Sequence, residues 1–421
     1  MLFFYRFLIN IIFVISPIIL IVRLLKKKEH ILRFKEKFCI FSSYRKKGKL
    51  IWFHGASVGE IQSILPIIEI LEKKNDIKQI LITSNTLSSS KVISKLKLKK
   101  TIHQFFPIDT NFLTKRFLNH WRPNTAIFID TEIWPNTVCN INKRGIPLII
   151  INGRISKKTF NRWKMFPNFA KEIFCKFDLC ISCSEISKKY FHKLGLKKIK
   201  YFGNLKFVKS ELHKFHLDRK LKKFISKKKV WVASSTHPGE EKICGITHQN
   251  LKKKYKNLLT IIIPRHIERI PKIEKEINNI GLKTHVHKPN RVIKKETDIY
   301  LVNTYGETKS FFSNCKNIFL GGSIIPHGGQ NPLEAASFGC SILHGPHISN
   351  FHDIYAFLEN NKITTKFNNS KAMTKILDNF FTRKERSKII QKKIDYIGKR
   401  ILNLTYKEIN LFIKKNEVQK T

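Results

Sequence analysis

Short apolar runs alternate with helix-spaced apolar positions along most of the chain, and residues 49–66 show the repeating unit. Leu50–Phe53 is an apolar run short enough to predict a buried strand. His54-Gly55-Ala56-Ser57 breaks the run, and Ile61, Ile64, Leu65 and Ile68 then recur at helical spacing, so a helix should begin within a residue or two of Glu60. Gly55 and Gly59 allow a sharp turn and the close approach of a ligand. Open α/β sheets bind ligands at this strand-to-helix end. The positive end of a helix favours an ionised carboxylate, so Glu60 reads either as a substrate-facing group or as a first-turn residue complementing the dipole.

The same alternation predicts further strands at Gln79–Thr83, Ile102–Phe105, Thr125–Ile129, Leu148–Ile151, Asp178–Ser182 and Lys198–Phe202. This is the pattern of a parallel, doubly wound sheet. A lysine-rich stretch without periodicity, 210–229, reads as a linker. A second series follows at Val230–Ala233, Leu258–Ile263, Leu282–His285, Asp298–Val302, Asn317–Leu320 and Ser341–Leu343, and beyond Phe351 the pattern is helical to the end. The fold class is therefore α/β, with two Rossmann-like domains whose sheet ends would border a ligand cleft. The expected division is 1–25, 26–209, a linker at 210–229, 230–385, and C-terminal helices at 386–421.

Residues 1–25 break this rhythm. Phe7 to Val22 is uncharged, slightly short of the ~20 residues of a full span. No small-residue cleavage site follows it, and Arg6 is the only charge before the apolar stretch, which argues against a cleaved signal peptide. Lys26, Lys27, Lys28, Arg33 and Lys35 follow at once, and the positive-inside rule keeps the bulk of the chain cytoplasmic. An uncleaved anchor is expected, either spanning the bilayer or lying in its interface. The 421 residues are 42% hydrophobic, enough for two cores. The formal charge of +50 is carried by lysines interleaved with Ile and Asn on nearly every polar face. It favours anionic membranes or polyanions without choosing between them. Eight cysteines at scattered spacing suggest reduced, mostly buried thiols.

Candidate chemistry clusters at strand ends. Ile129-Asp-Thr-Glu-Ile-Trp-Pro-Asn136 ends a strand with two carboxylates and a Trp, on the sheet edge that carries Glu60. Asn152-Gly-Arg154 and Gly203-Asn-Leu-Lys206 each deliver a cation to a strand end, which suggests an anionic substrate. In the second series, Ser235–Glu241 and Pro264-Arg265-His266 suit phosphate or sugar contact. Gly321–Glu334 offers a glycine-rich backbone cradle followed by Asn331 as N-cap, Pro332 as N1 and Glu334 as N3. Metalloprotease, nucleophile-elbow and Walker sequences are absent, and the histidines sit singly.

Together the stretches His54–Glu60, Thr131–Asn136, Asn152–Arg154, Gly203–Phe207, Ser235–Glu241, Pro264–Arg269, Gly306–Glu307, Gly321–Ser323, Gly328–Glu334 and Gly345–His347 closely resemble the 3-deoxy-D-manno-octulosonic acid (Kdo) transferases of lipopolysaccharide synthesis. The resemblance implies a GT-B glycosyltransferase that moves Kdo from CMP-Kdo to a lipid A precursor, lipid IVA, without a donor-bound metal or other cofactor. It makes Glu60 the general base, and Asp130 and Lys206 the transition-state stabilisers. Asp130 stands where the family pattern has Glu, its carboxylate one methylene shorter. CMP contacts are carried onto Pro264 and Arg265, onto Tyr305, Gly306 and Glu307, and onto Asn331, Pro332, Leu333 and Glu334. The implied location is the cytoplasmic side of the inner membrane, with the acceptor lipid and membrane surface as partners and no nucleic acid. Two rival readings are another GT-B enzyme acting on a UDP-sugar, as transferase or epimerase, and a membrane-tethered nucleic-acid binder.

Overall fold

The computed structural model describes residues 1–96, 98–208, 217–287 and 293–418. They form two compact units, Met1–Ser210 with Gly398–Thr421, and Glu211–Ile397. Each unit is built on one seven-stranded sheet, and all the paired strands are parallel.

In the first unit the strands are β1 Lys49–His54, β2 Ile77–Ser84, β3 Thr101–Phe105, β4 Thr125–Ile129, β5 Leu148–Gly153, β6 Leu179–Ser182 and β7 Ile199–Tyr201. Their order is β3-β2-β1-β4-β5-β6-β7, so the winding reverses between β1 and β4. Helices cover both faces, and for that reason Leu50 to Phe53 could be a continuous apolar run with every residue fully buried. Rossmann-type sheets receive their ligands at such a reversal, beyond the carboxyl ends of the strands.

The second unit has β8 Lys229–Thr236, β9 Leu258–Pro264, β10 Thr284–Val286, β11 Ile299–Leu301, β12 Asn317–Leu320, β13 Ser341–His344 and β14 Thr364–Lys366. Their order is β10-β11-β9-β8-β12-β13-β14, and the reversal lies between β8 and β12. Each of the thirteen runs read as strands forms one. The fourteenth, β14, contradicts the helical reading beyond Phe351. It is a three-residue edge strand held only to β13, too short for any periodicity to register. Within the stretch read as a linker, 210–216 fall outside the described residues, and Arg219–Ile225 is a helix capped by Asp218. The terminal helix Ser387–Val418 is continuous, belonging to the second unit at its start and to the first from Gly398. All eight cysteines are free thiols, and only Cys175 is exposed.

The N-terminal helix Leu2–Leu25 docks along the first unit by a narrow stripe. Ile9, Ser16 and Leu20 are buried, and Leu2 and Phe13 pack against the core. The Tyr5 hydroxyl donates to Asp109 Oδ2 at 2.7 Å, and Arg6 Nε donates to Asn136 Oδ1 at 2.9 Å. The rest of its circumference is apolar and exposed, as at Phe3, Phe7, Val14 and Ile18. It is a helix long and apolar enough to cross a membrane. Just beyond it, buried Glu29 holds Arg23 and Lys37, and buried Glu36 holds Arg33 and the Phe105 N–H.

Asp109 ties this helix to the edge where Asp130 and Glu132 lie. Besides Tyr5 it accepts the N–H groups of Asn136 (3.0 Å) and Thr137 (2.8 Å) and the Thr137 hydroxyl (2.5 Å), which caps the Pro135–Lys143 helix. Burial nevertheless pushes its pKa up to about 6 against these donors. An Asp109→Asn chain turns one acceptor into a donor facing buried N–H groups. Urea denaturation should show a loss of about 1–3 kcal/mol, the cost of a buried unsatisfied donor; unchanged stability would show that these bonds contribute nothing net.

Candidate active site

Glu60 is fixed by the turn that starts its helix. Ser57 is the N-cap of the Val58–Glu72 helix, its Oγ accepting the Glu60 N–H at 3.4 Å. The hydroxyl donates in return to Glu60 Oε1 at 2.6 Å, while the Ala56 N–H donates to Oε2 at 2.7 Å. This reciprocal arrangement is a capping box. Its Ser-x-x-Glu spacing is a signal in the sequence itself, and it adds Ser57 to the groups that position Glu60. Gly55 is required by proximity, because a Cβ there would lie 2.9 Å from Ile129 Cδ1 and 3.3 Å from Glu60 Cβ.

The expectation that the helix dipole keeps Glu60 in its ordinary ionised range is corrected. Its pKa is raised to about 7, chiefly by burial, with Glu132 and Asp130 adding repulsion. The Ser57 and Ala56 hydrogen bonds pull the other way and are outweighed. The carboxylate is therefore poised near neutrality instead of being held ionised.

The neighbouring strand ends supply the other groups. Asp130, just past β4, adopts left-handed backbone at φ +54, a conformation Asp tolerates better than Glu. Its Oδ1 accepts Asn152 Nδ2 at 2.8 Å, and its Oδ2 lies 3.6 Å from Lys206 Nζ. The short side chain thus still reaches the lysine. Asn152, at φ +52, uses its own Oδ1 to receive the Leu205 N–H at 2.9 Å, and that bond orients the turn carrying Lys206. Below them, Trp134 Nε1 donates both to His54 Nε2 (3.0 Å) and to Glu132 Oε2 (3.1 Å). The His54 Nε2 atom is thereby an acceptor, which puts the ring proton on Nδ1, facing Thr83 Oγ1 at 2.9 Å. The same Nε2 atom lies 3.6 Å from Glu132 Oε2.

In the second unit the expected nucleotide residues share the carboxyl edge of one sheet. Pro264 ends β9, with Arg265 exposed after it, and Tyr305, Gly306 and Glu307 lie beyond β11. Tyr305 donates to Glu268 at 3.0 Å. Two details depart from expectation. The helix after Gly328-Gly329 is only Leu333–Ser337 with Pro332 as its cap, so the capping register is one residue later than read. Asn331 Oδ1 accepts the Leu333 N–H at 3.1 Å, and Glu334 pairs with Lys309 at 3.1 Å. The first part of the glycine-rich cradle, Gly322 to Ile324, is also already filled. Buried Glu240 receives the N–H groups of Gly322 (2.8 Å), Ser323 (3.1 Å), Ile324 (3.0 Å) and His237 (2.9 Å). A carboxylate from the β8 side thus occupies the nest that the sequence offered to a ligand phosphate. On the same carboxyl edge, buried Ser234 Oγ, Thr236 Oγ1, His237 Nε2, Asn303 Oδ1, Thr304 Oγ1 and His344 Nε2 have no partner among the described residues. Such a concentration of orphan polar atoms on one edge suits a polar ligand. Among the described residues no group of three or more His, Cys, Asp or Glu is placed to hold a metal ion.

Comparison with known proteins identifies the family. The sequence model of the 3-deoxy-D-manno-octulosonic acid transferase (Kdo transferase) N-terminal domain matches residues 32–209. The 3-deoxy-D-manno-octulosonic acid transferase of Rickettsia bellii is 35% identical over 375 residues, covering 89% of each chain. The chain belongs to the Kdo transferase family. The Haemophilus influenzae transferase of the same name is 30% identical over 73% of each chain. The Kdo transferase fold here is that of GT-B enzymes. The UDP-GlcNAc 2-epimerase of Neisseria meningitidis superposes with a TM-score of 0.60 at 18% identity, over 87% of this chain and all of that one. That likeness concerns architecture alone.

Infrared titration of the full chain should reveal a carboxyl group with a midpoint near 7 that vanishes in Glu60→Gln. Ser57→Ala should move it up and Glu132→Gln down, because the first removes a donor to the anion and the second a neighbouring negative charge. The folded pKa lies above the unfolded one, so folding binds an extra proton between about pH 4.5 and 7 and stability falls as pH rises through that window. The Gln variant should lose that part of the slope; a midpoint in the ordinary carboxylate range would contradict burial as the governing cause.

Proposed function

We propose that this Kdo transferase moves Kdo from CMP-Kdo to a lipid A precursor of the lipid IVA type, with inversion and with Glu60 as general base. The observation that carries the reading is the position of Glu60. It lies at the winding reversal of the first sheet with a pKa near 7, next to the charges of Asp130 and Glu132. A base is most effective when its pKa lies near the working pH. The acceptor hydroxyl gives its proton to the Glu60 carboxylate as its oxygen bonds to the anomeric carbon of Kdo. The bond from that carbon to the phosphate oxygen breaks, and CMP leaves with the electron pair.

Lys206 and Asp130 act together on the developing charge. Asn152 donates to Asp130 and accepts the Leu205 N–H, so one side chain fixes the acid and the turn that carries Lys206. CMP is assigned to the second unit, at Pro264, Arg265, Tyr305, Gly306, Glu307, Asn331, Pro332, Leu333 and Glu334, where the orphan hydroxyls and imidazoles add hydrogen-bonding capacity. With the glycine nest closed by Glu240, the donor phosphate depends on side chains such as Arg265. The Leu2–Leu25 helix is assigned to the interface of the inner membrane on its cytoplasmic side. Its docked stripe and its bonds to Asp109 and Asn136 favour a helix lying against the unit, with its exposed apolar face in the lipid.

Glu60→Gln should cut transfer by at least 10²-fold, the usual scale for a general base, with CMP affinity changed less than about threefold. Product formation is read by mass spectrometry after incubation with CMP-Kdo and a tetra-acylated lipid A precursor; near wild-type turnover would remove Glu60 from the mechanism. In calorimetry CMP should bind and compete with the donor while UDP does not, and Arg265→Ala should weaken CMP binding. Preferential binding of UDP would favour an epimerase or a UDP-sugar transferase.

A further inference from the structure

The sheet of the second unit has a cavity of about 230 Å³ at its amino-terminal edge, the end opposite Pro264 and Tyr305. Lys316 just before β12, Ser341 at the start of β13, Phe380 from the Ser370–Thr382 helix, and Arg383, Lys384 and Arg386 line it. The volume is below the ~300 Å³ at which drug-sized pockets begin, so its occupant is small.

Apart from exposed Lys384, the cations here differ from the solvated lysines that account for most of the chain's charge. The Arg383 guanidinium lies 4.0 Å over the Phe380 ring, with Nη2 donating to Ser341 Oγ at 2.5 Å. Arg386 Nη1 donates to the Lys362 carbonyl at 3.2 Å. Both bonds go to neutral oxygens, and each guanidinium has five N–H groups, so both keep unused donors. Burial, with Arg386 adding to it, lowers the pKa of Arg383. Lys316 spends its three N–H groups on the carbonyls of Phe312 (3.3 Å), Ser313 (2.9 Å) and Phe338 (3.0 Å), and so contributes charge without a free donor. Glu385 also lines the cavity, where it accepts the Ser387 hydroxyl, and no carboxylate is within ion-pair distance of the four cations among the described residues. On a convex face such charges would be hydrated and screened. In a concavity with an aromatic wall the field of like charges is focused on whatever enters.

We propose that this cavity is a second anion site, which takes a phosphate group in the forks of Arg383 and Arg386. Arginine forks match phosphate oxygens two at a time, a geometry lysine does not offer. The site lies on the other edge of the sheet from the proposed nucleotide residues, so its ligand is distinct from the donor. The group could be carried by a soluble phosphoester or by a phospholipid headgroup, and the test separates them.

Hydrogen–deuterium exchange on the full chain in detergent, with and without pyrophosphate, reads residues 380–390 directly. A parallel arm uses vesicles of phosphatidylglycerol against phosphatidylcholine. Protection of 380–390 in either arm is expected, at an affinity at least tenfold weaker in Arg383→Gln/Arg386→Gln. Protection by pyrophosphate identifies a soluble ligand, and protection by phosphatidylglycerol alone identifies a headgroup. The double Lys variant preserves charge and fold while removing the forks, and it too should weaken binding. No protection in either arm, or protection equal in wild type and the Lys variant, overturns the proposal.

Discussion

Ser57 and Glu60 hold each other, and much of the candidate catalytic edge follows from that pair. The hydroxyl starts the helix by accepting the Glu60 N–H, and it steadies the carboxylate by donating to it. A carboxylate placed there for capping alone would remain solvated and acidic. In this protein the turn is set at the winding reversal of a sheet buried on both faces, and desolvation lifts the group to about 7. One local motif thus caps the helix and carries the candidate base, and the two readings open at the level of sequence are compatible.

Each side of the chain's chemistry is stabilised by a buried carboxylate with no proposed part in the reaction. Asp109 gathers the helix that follows the Asp130–Trp134 motif and the N-terminal helix into one network. Glu240 fixes the loop after β12 by taking three of its N–H groups. Both are raised in pKa by burial, and both face several donors. Loops that position substrates carry backbone polar groups that must find partners. A buried acid supplies them without relying on water.

The sequence reading and the structure agree most closely where an element is long or bounded on both sides by punctuation. Leu258–Ile263, apolar but for Thr260 and ended by Pro264, reads as a buried strand, and β9 is fully buried. The agreement fails where the deciding quantity is a three-dimensional neighbour. Thr364–Lys366 becomes a strand because β13 offers it an open edge. Asn331 misses the expected capping register because the short helix starts after Pro332. The glycine cradle looked open because Glu240, more than eighty positions away in the chain, gives no local sign that it will fill it.

By itself the sequence determined the two-sheet α/β plan, the thirteen apolar strands, and the strand-end grouping of Glu60, Asp130 and Lys206, because hydrophobic period and glycine turns are local properties. It also determined the family, through motifs spaced along nearly the whole chain. Tertiary structure alone decided the pKa of Glu60, the reach of Asp130 to Lys206, the closure of the glycine nest and the docking of the N-terminal helix. All four depend on desolvation and on partners far away in sequence, and neither can be read from the order of residues.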